Sequence, residues 1–333
     1  MILALDFAVP VALLGTGMYV PEKIVTNEDL SRIVDTTDEW ITERTGIKER
    51  HIASEGEVTS DFAARAGIAA MESAGVSPEE IDMIIVGTNS PDCLFPGVGP
   101  LVQGKIGAVR AGACDVQAGC TGCVYALAMA SAGIGSGLWK KVLVIGAEAL
   151  SRIVDWKDRN TCVLFGDGAG AVVLGASGGK NSVLALELHA EGALGDYIEF
   201  PGGLAAKPAT CATVEAGEHF VRMRGNEVFK YVNRIIPPFV RDLCGQAGFD
   251  VSEIDSWIFH QANLRIIEGV LRRLNVPVEK AVVNLQKYGN TSAASVFLAL
   301  HEGISEGKIS KGDKTMLVSF GAGMTYGAII LEI

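Results

Sequence analysis

Three residues have the types and surroundings that thiol-based acyl chemistry requires: Cys120, His260 and Asn290. Cys120 lies in the segment AGCTG, between an apolar strand-like run at 113–116 and an apolar helical stretch that starts at Cys123. Such an elbow puts a side chain at a helix N-terminus, where free amides and the helix dipole can lower a cysteine pKa to about 3.5–7.5. A thiolate attacks thioesters, and a nearby backbone amide can donate to the oxyanion that forms. The segment is therefore typical of a nucleophilic cysteine.

Two other interpretations of Cys120 remain open from its spacing alone. A free cysteine is most often a small buried apolar residue. Cys120 and Cys123 also form a C-x-x-C pair, which is found in redox proteins and in zinc sites. Because the sequence has no second C-x-x-C and no histidine near position 120, zinc is improbable.

The chain offers five histidines as partners for a thiol, and His260 has the most functional setting. It follows the strand-like run 257–259 and begins the polar turn HQAN, although a hydrogen-bonded core histidine is the ordinary alternative. Asn290 lies in YGNTS, and its amide is able to donate to a developing oxyanion. The alternative role of Asn290 is a helix N-cap, which asparagine favours.

The elements that must position these residues alternate along the chain. Strands are predicted at 83–87, 141–145, 170–175, 257–260 and 315–320, and helices at 60–74, 123–136, 228–247 and 264–274. Strands that alternate with helices of this length predict a largely parallel sheet with crossover connections. Function in such sheets gathers outside the carboxyl ends of the strands, which is where the three residues lie.

The sequence repeats itself once. VSPEEIDMIIV around Ile81 reappears as VSEIDSWIF around Ile254, and the AGCTG segment of Cys120 is echoed by YGNTS around Asn290. FGDGAGAVVL from Phe165 is echoed by FGAGMTYGAIIL further along. Three echoes in one order indicate a duplication. Equivalent loops of two pseudo-symmetric halves are thus expected to converge on one site.

Composition excludes several classes of protein. The 333 residues are 49% hydrophobic and 20% charged, which suits a large core, and the net charge of −11 disfavours nucleic acid and anionic membranes as partners. No apolar run is long enough to span a bilayer, and seven scattered cysteines do not resemble a disulfide framework. We therefore expect a cytoplasmic protein with reduced thiols.

Together these residues resemble the β-ketoacyl-acyl-carrier-protein synthase III family, the initiating condensing enzymes of bacterial type II fatty-acid synthesis. The resemblance runs from about residue 12 to the C-terminus. It depends on seven motifs in family order: DEWITERTGI at 38–47, AGCTG at 118–122, FGDGAG at 165–170, MRGNEVF at 223–229, HQAN at 260–263, YGNTS at 288–292 and SFGAG at 319–323.

The resemblance implies an α/β, thiolase-like fold. Two pseudo-symmetric βαβαβ-type halves, residues 1–178 with the cysteine and 179–333 with the histidine and asparagine, would pack as a layered α/β/α/β/α core. It also implies an acyltransferase with a Cys120, His260 and Asn290 triad. Cys120 would take an acyl group from a short acyl-CoA, and malonyl-acyl carrier protein would then be decarboxylated and condensed with it. CoA is a substrate here, and no cofactor or metal is expected.

Further roles are implied by the same motifs. The amide of Ala322 would share the oxyanion hole with that of Cys120, and Phe320 would crowd the malonyl carboxylate. The other implied contacts are CoA and pantetheine binding by Thr36, Trp40, Arg44, Arg159 and Asn263, carrier-protein docking by Arg265, Arg272 and Arg273, and an acyl pocket shaped by Asn89 and Phe95 across a homodimer interface.

The sequence departs from the family pattern at a few positions. Met324 and Tyr326 replace residues that are commonly Phe and Trp, and Cys123 stands where Phe is common. Asn89 and Cys93 make the acyl loop unusual, so the preferred acyl chain is open. The rival functions are a specialised condensing enzyme of secondary metabolism, a Cys120/Cys123 thiol redox protein and a non-catalytic thiolase-fold subunit.

Overall fold

A computed structural model describes residues 7–333. The strands are β1 Val11–Tyr19, β2 Ile24–Thr26, β3 Glu49–His51, β4 Met83–Gly87, β5 Gly112–Val116, β6 Lys141–Glu148, β7 Gly168–Ala176, β8 Val183–Ala190, β9 Ile198–Glu199, β10 Arg222–Met223, β11 Ser256–Phe259, β12 Lys314–Gly321 and β13 Thr325–Glu332. The α-helices are α1 Asn27–Ser31, α2 Asp38–Thr45, α3 Thr59–Ala74, α4 Val98–Ile106, α5 Gly122–Gly135, α6 Cys211–Glu215, α7 Gly225–Gln246, α8 Leu264–Leu274, α9 Leu285–Tyr288 and α10 Ser295–Ser305. Short 3-10 turns occupy Pro78–Glu80, Leu150–Arg152, Gly192–Tyr197, Val251–Glu253, Val278–Lys280 and Ser292–Ala294.

Two sheets carry the fold. The first has the strand order β1-β7-β6-β4-β5 and the second β11-β12-β13-β8. Strand β4 is parallel to β5 and β6, and β11 is parallel to β12, while the other ladders of both sheets are antiparallel. The prediction of largely parallel sheets is therefore wrong. Strand β13 returns beside β12 after the short turn 322–324, which has no room for a crossover helix.

The sheets and helices form five layers. Helices α5 and α10 contact strands of both sheets, so they form the central layer. Helices α3 and α4 cover the outer face of the first sheet, and α7 and α8 pack with the outer face of the second. The central helix α5 is apolar on all sides, because both of its faces are buried against strands. This arrangement confirms the predicted α/β/α/β/α core.

The predicted elements are close to those observed. The strand at 83–87 and the helix at 264–274 have the expected bounds, and the other predicted elements differ at their ends by one to three residues. The strand before His260 ends at Phe259, so the histidine is the first residue of the turn. Among residues 7–333, no helix combines the length and apolar character that a bilayer crossing would need.

Candidate active site

Cys120 lies in a tight turn between strand β5 and helix α5. Gly119 has a φ of 58°, in the left-handed region that favours glycine, and an isolated bridge joins Ala118 to Cys120. Helix α5 begins two residues later, at Gly122. The sequence prediction of a strand-to-helix elbow is therefore confirmed.

The end of strand β12 packs directly against this turn. A Cβ atom at Gly321 would lie 2.5 Å from the Cys120 nitrogen and 2.8 Å from its Cβ, so only glycine fits at this position. Ser319 Oγ donates to the Cys120 carbonyl at 2.8 Å, and the Ala322 amide hydrogen-bonds to the cysteine sulfur. The amides of Cys120 and Ala322 thus point at the reactive atom from two different halves of the chain.

A cavity of about 210 Å³ brings the predicted catalytic residues together. Its polar side chains are those of Asn89, Gln117, Cys120, Glu199, His260, Asn290 and Ser292, and the residues Gly119, Gly321 and Ala322 complete this side of the lining. Its apolar lining is Leu150, Ile153, Phe165, Ile198, Phe200, Val221, Met223, Val228, Ala262 and Phe320. An apolar wall with a few convergent polar groups suits an uncharged chain with a reactive carbonyl.

The pKa of the Cys120 thiol is raised, whereas the sequence predicted a lowered pKa. Although part of the residue reaches the cavity, protein surrounds the thiol, and desolvation raises its pKa to about 12. The Ser292 hydroxyl, which donates to the sulfur at 3.2 Å, lowers the pKa, and the carboxylate of Glu148 raises it. The backbone amides of Cys120 and Ala322 also lower it. The expected stabilisation of the thiolate is present, but burial outweighs it.

His260 is buried and neutral at physiological pH. Burial lowers the pKa of its imidazole to about 3. Nδ1 lies 2.7 Å from Ser295 Oγ at the start of helix α10, and that hydroxyl also accepts a hydrogen bond from the Gln261 amide. Since Nδ1 is engaged behind the ring, Nε2 is the nitrogen that remains for the cavity.

Asn290 is oriented by the turn that follows it. Its Oδ1 accepts a hydrogen bond from the Ser292 amide at 2.8 Å, so the amide group of the side chain keeps its two N–H donors for the cavity. Backbone bonds from Asn290 to Leu164 and from Gly166 to Asn290 hold this turn against the first half of the chain. The N-cap of the 3-10 turn that follows is Thr291, so the Asn290 side chain bonds only within its own turn and keeps its two donors free.

Phe320 packs against His260. Its ring meets the ring of His260 edge-on, with centroids 5.3 Å apart, and the side chain is buried in the cavity wall. Phe95 is 80% exposed and does not reach the cavity of its own chain, whereas Asn89 lines the cavity. The structure therefore separates the two residues predicted for the acyl pocket.

Sequence reasoning missed three polar residues around the site. Glu148 is a fully buried carboxylate at the end of β6, Ser292 contacts the cysteine sulfur, and Ser295 contacts the histidine. Glu148 directly follows the apolar run 142–147, and a charged residue at the end of such a run could have indicated a buried carboxylate. Ser292 was part of the YGNTS motif, but nothing in the spacing indicates which of its side chains faces the thiol.

Four of the residues predicted to bind CoA, namely Trp40, Arg44, Arg159 and Asn263, contact one another in one cluster. The guanidinium groups of Arg44 and Arg159 lie 4.9 and 4.7 Å from the centroid of the Trp40 ring. Asn263 donates to the Arg44 carbonyl at 3.0 Å and caps helix α8, which ties α2 to α8. The Thr36 hydroxyl is buried and has no hydrogen-bond partner within the described residues 7–333.

Helix α8 carries the three predicted docking arginines on its exposed side. Arg265 and Arg272 are seven residues apart, so they lie on one face. Arg273 is engaged within the protein, because it donates to Asn233 at 2.9 Å and to the Gly269 carbonyl. The structure thus leaves Arg265 and Arg272 freer than Arg273 to meet a partner.

Comparisons with known proteins agree on one family. The models for 3-oxoacyl-[acyl-carrier-protein] synthase III match residues 114–192 and, for the C-terminal part, 244–333. The chain is similar to β-ketoacyl-[acyl-carrier-protein] synthase III of Caldanaerobacter subterraneus, with 48% identity over 96% of this chain and 97% of the relative. The Xanthomonas campestris enzyme of the same name has 48% identity over 96% and 97%. The crystal structure of 3-oxoacyl-[acyl-carrier-protein] synthase III from Aquifex aeolicus has a TM-score of 0.90 and 46% identity, over 97% of this chain and all of that one.

Proposed function

Because the chain belongs to the 3-oxoacyl-[acyl-carrier-protein] synthase III family of condensing enzymes that initiate fatty-acid synthesis, we propose that Cys120 carries the acyl group from acyl-CoA to malonyl-acyl carrier protein. The observation that supports this most directly is the single cavity shared by Cys120, His260, Asn290 and the Ala322 amide. A thiol redox role has no comparable support, since Cys123 is fully buried in helix α5.

The first step is acyl transfer. The Cys120 thiolate attacks the thioester carbonyl of a short acyl-CoA, and the C–S bond to CoA breaks. The CoA thiolate leaves with the proton that Cys120 has lost. The amides of Cys120 and Ala322 stabilise the tetrahedral oxyanion. Because burial keeps the thiol protonated, its proton must leave as the substrate arrives, and that proton ends on the departing CoA sulfur. His260 stays neutral through this step and keeps its Nε2 proton for the condensation.

The second step is condensation. Malonyl-acyl carrier protein loses CO₂, and the electron pair of the broken C–C bond forms an enolate on the thioester. Nε2 of His260 and the side-chain amide of Asn290 donate hydrogen bonds to the enolate oxygen. The carbanion attacks the acyl-Cys120 carbonyl, the C–S bond breaks, and β-ketoacyl-acyl carrier protein is released. The Phe320 ring beside His260 keeps water from the malonyl carboxylate and favours its loss.

The surface residues supply substrate binding in this proposal. The cluster of Trp40, Arg44 and Arg159 binds the CoA nucleotide, since indole and guanidinium planes both stack on a purine. Arg265 and Arg272 dock the acidic carrier protein. Leu94 and Phe95 are 70% and 80% exposed on the loop before α4, and in a homodimer these apolar side chains would close the acyl pocket of the second copy.

The test is the intact mass of the protein after mixing with an equimolar panel of short straight and branched acyl-CoAs, followed by peptide mapping. We expect one acyl adduct, on Cys120, with the mass identifying the preferred primer. Cys120→Ser should abolish the adduct and the condensation, and Cys123→Ala is the matched control that keeps both. Condensation by Cys120→Ser, or an adduct that maps elsewhere, would contradict the assignment.

A further inference from the structure

A buried polar network lies directly behind the cysteine. Glu148 at the end of β6 is fully buried and accepts hydrogen bonds from the Asn89 amide at 3.0 Å, from Asn89 Nδ2 at 2.7 Å and from Ser90 Oγ at 2.5 Å. Asn89 Nδ2 lies 2.9 Å from the Gly119 carbonyl and 3.2 Å from Ser292 Oγ. The network therefore reaches the turn that holds Cys120 at two points.

The network orients the hydroxyl that meets the sulfur. Asn89 Nδ2 can only donate, and its two protons face Glu148, the Gly119 carbonyl and Ser292 Oγ, so the single hydroxyl proton of Ser292 is directed away from Asn89. That proton points at Cys120 Sγ, 3.2 Å away. Ser292 also has a φ of 46°, a left-handed conformation that is costly for a serine and is typical of functional sites.

Glu148 opposes the thiolate. Its contacts are hydrogen-bond donors, which fits an ionised carboxylate, and its charge raises the pKa of the Cys120 thiol. Burial raises the pKa of Glu148 itself, while its hydrogen-bond partners Ser90 and Asn89, and more weakly Ser292, lower it. The other titratable groups around Cys120 are His260 and Glu199, which line the same cavity, and Cys123, the second residue of α5.

We propose that Ser292 is a further catalytic residue, whose hydroxyl stabilises the Cys120 thiolate, and that Asn89 and Glu148 are the positioning residues that set the strength of this contact. The inference deepens the proposed function and depends on Cys120 being the nucleophile. Ser292 acts in the step that frees the thiolate and again in the condensation, when the thiolate leaves the acyl carbon.

The experiment measures the rate at which iodoacetamide alkylates Cys120 between pH 6 and 10, with the site resolved by peptide mass. Below the thiol pKa this rate follows the thiolate fraction. Ser292→Ala should slow alkylation about tenfold at each pH, the effect of one hydrogen bond to a charged atom. Glu148→Gln should accelerate it severalfold, since the buried negative charge is removed. A change in access to the cavity would change the alkylation rate of both variants in the same direction. A slower Ser292→Ala together with a faster Glu148→Gln therefore indicates the hydrogen-bond network.

Matched controls remove a hydroxyl and a buried carboxylate elsewhere. Ser131→Ala deletes a buried serine that bonds only within helix α5, and Asp167→Asn neutralises a buried acid that faces Ser151 and Ala53. Both should keep the wild-type rate at Cys120. Ser292→Gly is a second variant that loses the same hydroxyl but tolerates the positive φ, and it should match Ser292→Ala even where alanine impairs folding.

The outcomes separate the two proposals. If the wild-type protein is neither alkylated nor acylated at Cys120, the proposed function is overturned, and this inference with it. An acyl adduct on Cys120, together with wild-type alkylation rates in both Ser292 variants, would overturn the inference alone. A slower or unchanged Glu148→Gln would overturn the role of the carboxylate.

Discussion

At the residue scale, the catalytic groups are set by opposing electrostatic effects. Cys120 is surrounded by donors that favour a thiolate, yet burial keeps its thiol protonated. His260 is neutral for the same reason, because burial disfavours the imidazolium. A protonated thiol beside a neutral imidazole is a resting state that becomes reactive when a thioester accepts the electron pair of the sulfur.

The two half-reactions should respond differently to the loss of His260 and Asn290. In the proposed mechanism acyl transfer uses the Cys120 and Ala322 amides, which are backbone groups and therefore persist in His260→Ala and Asn290→Ala. We therefore expect both variants to lose decarboxylation about 10²–10³-fold, as for the loss of an oxyanion donor, and to lose acyl transfer less. The measurement is CO₂ release from malonyl-acyl carrier protein beside single-turnover acylation of Cys120. Equal losses in the two steps would refute separate roles.

At the element scale, the site is assembled from the ends of strands and helices. Strand β5 and helix α5 form the cysteine turn, β12 closes it through Gly321, and β11 ends one residue before His260. Helix α8 follows the histidine turn, so its exposed face is fixed relative to the cavity. Docking of a carrier protein on α8 would therefore deliver its prosthetic group toward the same turn.

Charge reversal on helix α8 should weaken the binding of malonyl-acyl carrier protein and leave the reaction with acyl-CoA unaffected. We expect Arg265→Glu and Arg272→Glu to raise KM for malonyl-acyl carrier protein about tenfold, with a smaller effect at high salt, and to leave single-turnover acylation by acyl-CoA unchanged. Lys311→Glu is the control, because this exposed lysine precedes β12 at the end of the strand away from Cys120. Arg273→Glu should in addition lower the free energy of unfolding, since it removes the bonds to Asn233 and Gly269. A uniform effect of all four reversals would contradict docking on α8.

At the scale of the whole molecule, the five layers bury catalytic groups that titrate, and stability therefore depends on pH. The imidazole of His260 has an ordinary pKa of 6.5 when unfolded and about 3 when folded. Below pH 6.5 the unfolded chain binds a proton that the folded chain does not, so this residue reduces stability as the pH falls from 6.5 toward 3. Buried Glu148 and Asp167 have raised pKa values and act in the opposite sense.

Comparison with a variant isolates the histidine contribution. Between pH 7 and pH 4.5 the wild type should lose about 2–3 kcal/mol of unfolding free energy more than His260→Gln, because glutamine carries no proton in either state. The carboxylates are common to both proteins and cancel in the difference. Urea unfolding at the two pH values measures it. Parallel losses in the two proteins would mean that His260 is not held neutral by the fold.

The sequence by itself determined the chemistry and the order of the elements. The motifs around Cys120, His260 and Asn290 are local strings, and the duplication that they share predicted the meeting of distant turns in one cavity. The layered fold and the family were confirmed, because periodicity and motif order are properties of the chain itself. The division at residue 178 and the roles of the surface arginines stay predictions.

Only the tertiary structure decided the strand directions and the electrostatics of the site. The antiparallel direction of β13 depends on the tight turn that the chain makes after residue 321. The thiol pKa of Cys120 depends on burial by segments that are distant in sequence. Glu148 and Ser292 stand 28 and 172 residues from Cys120, so no local pattern could assign them to it. Residue types specify which reactions are available, whereas desolvation and hydrogen-bond direction arise only when the layers pack.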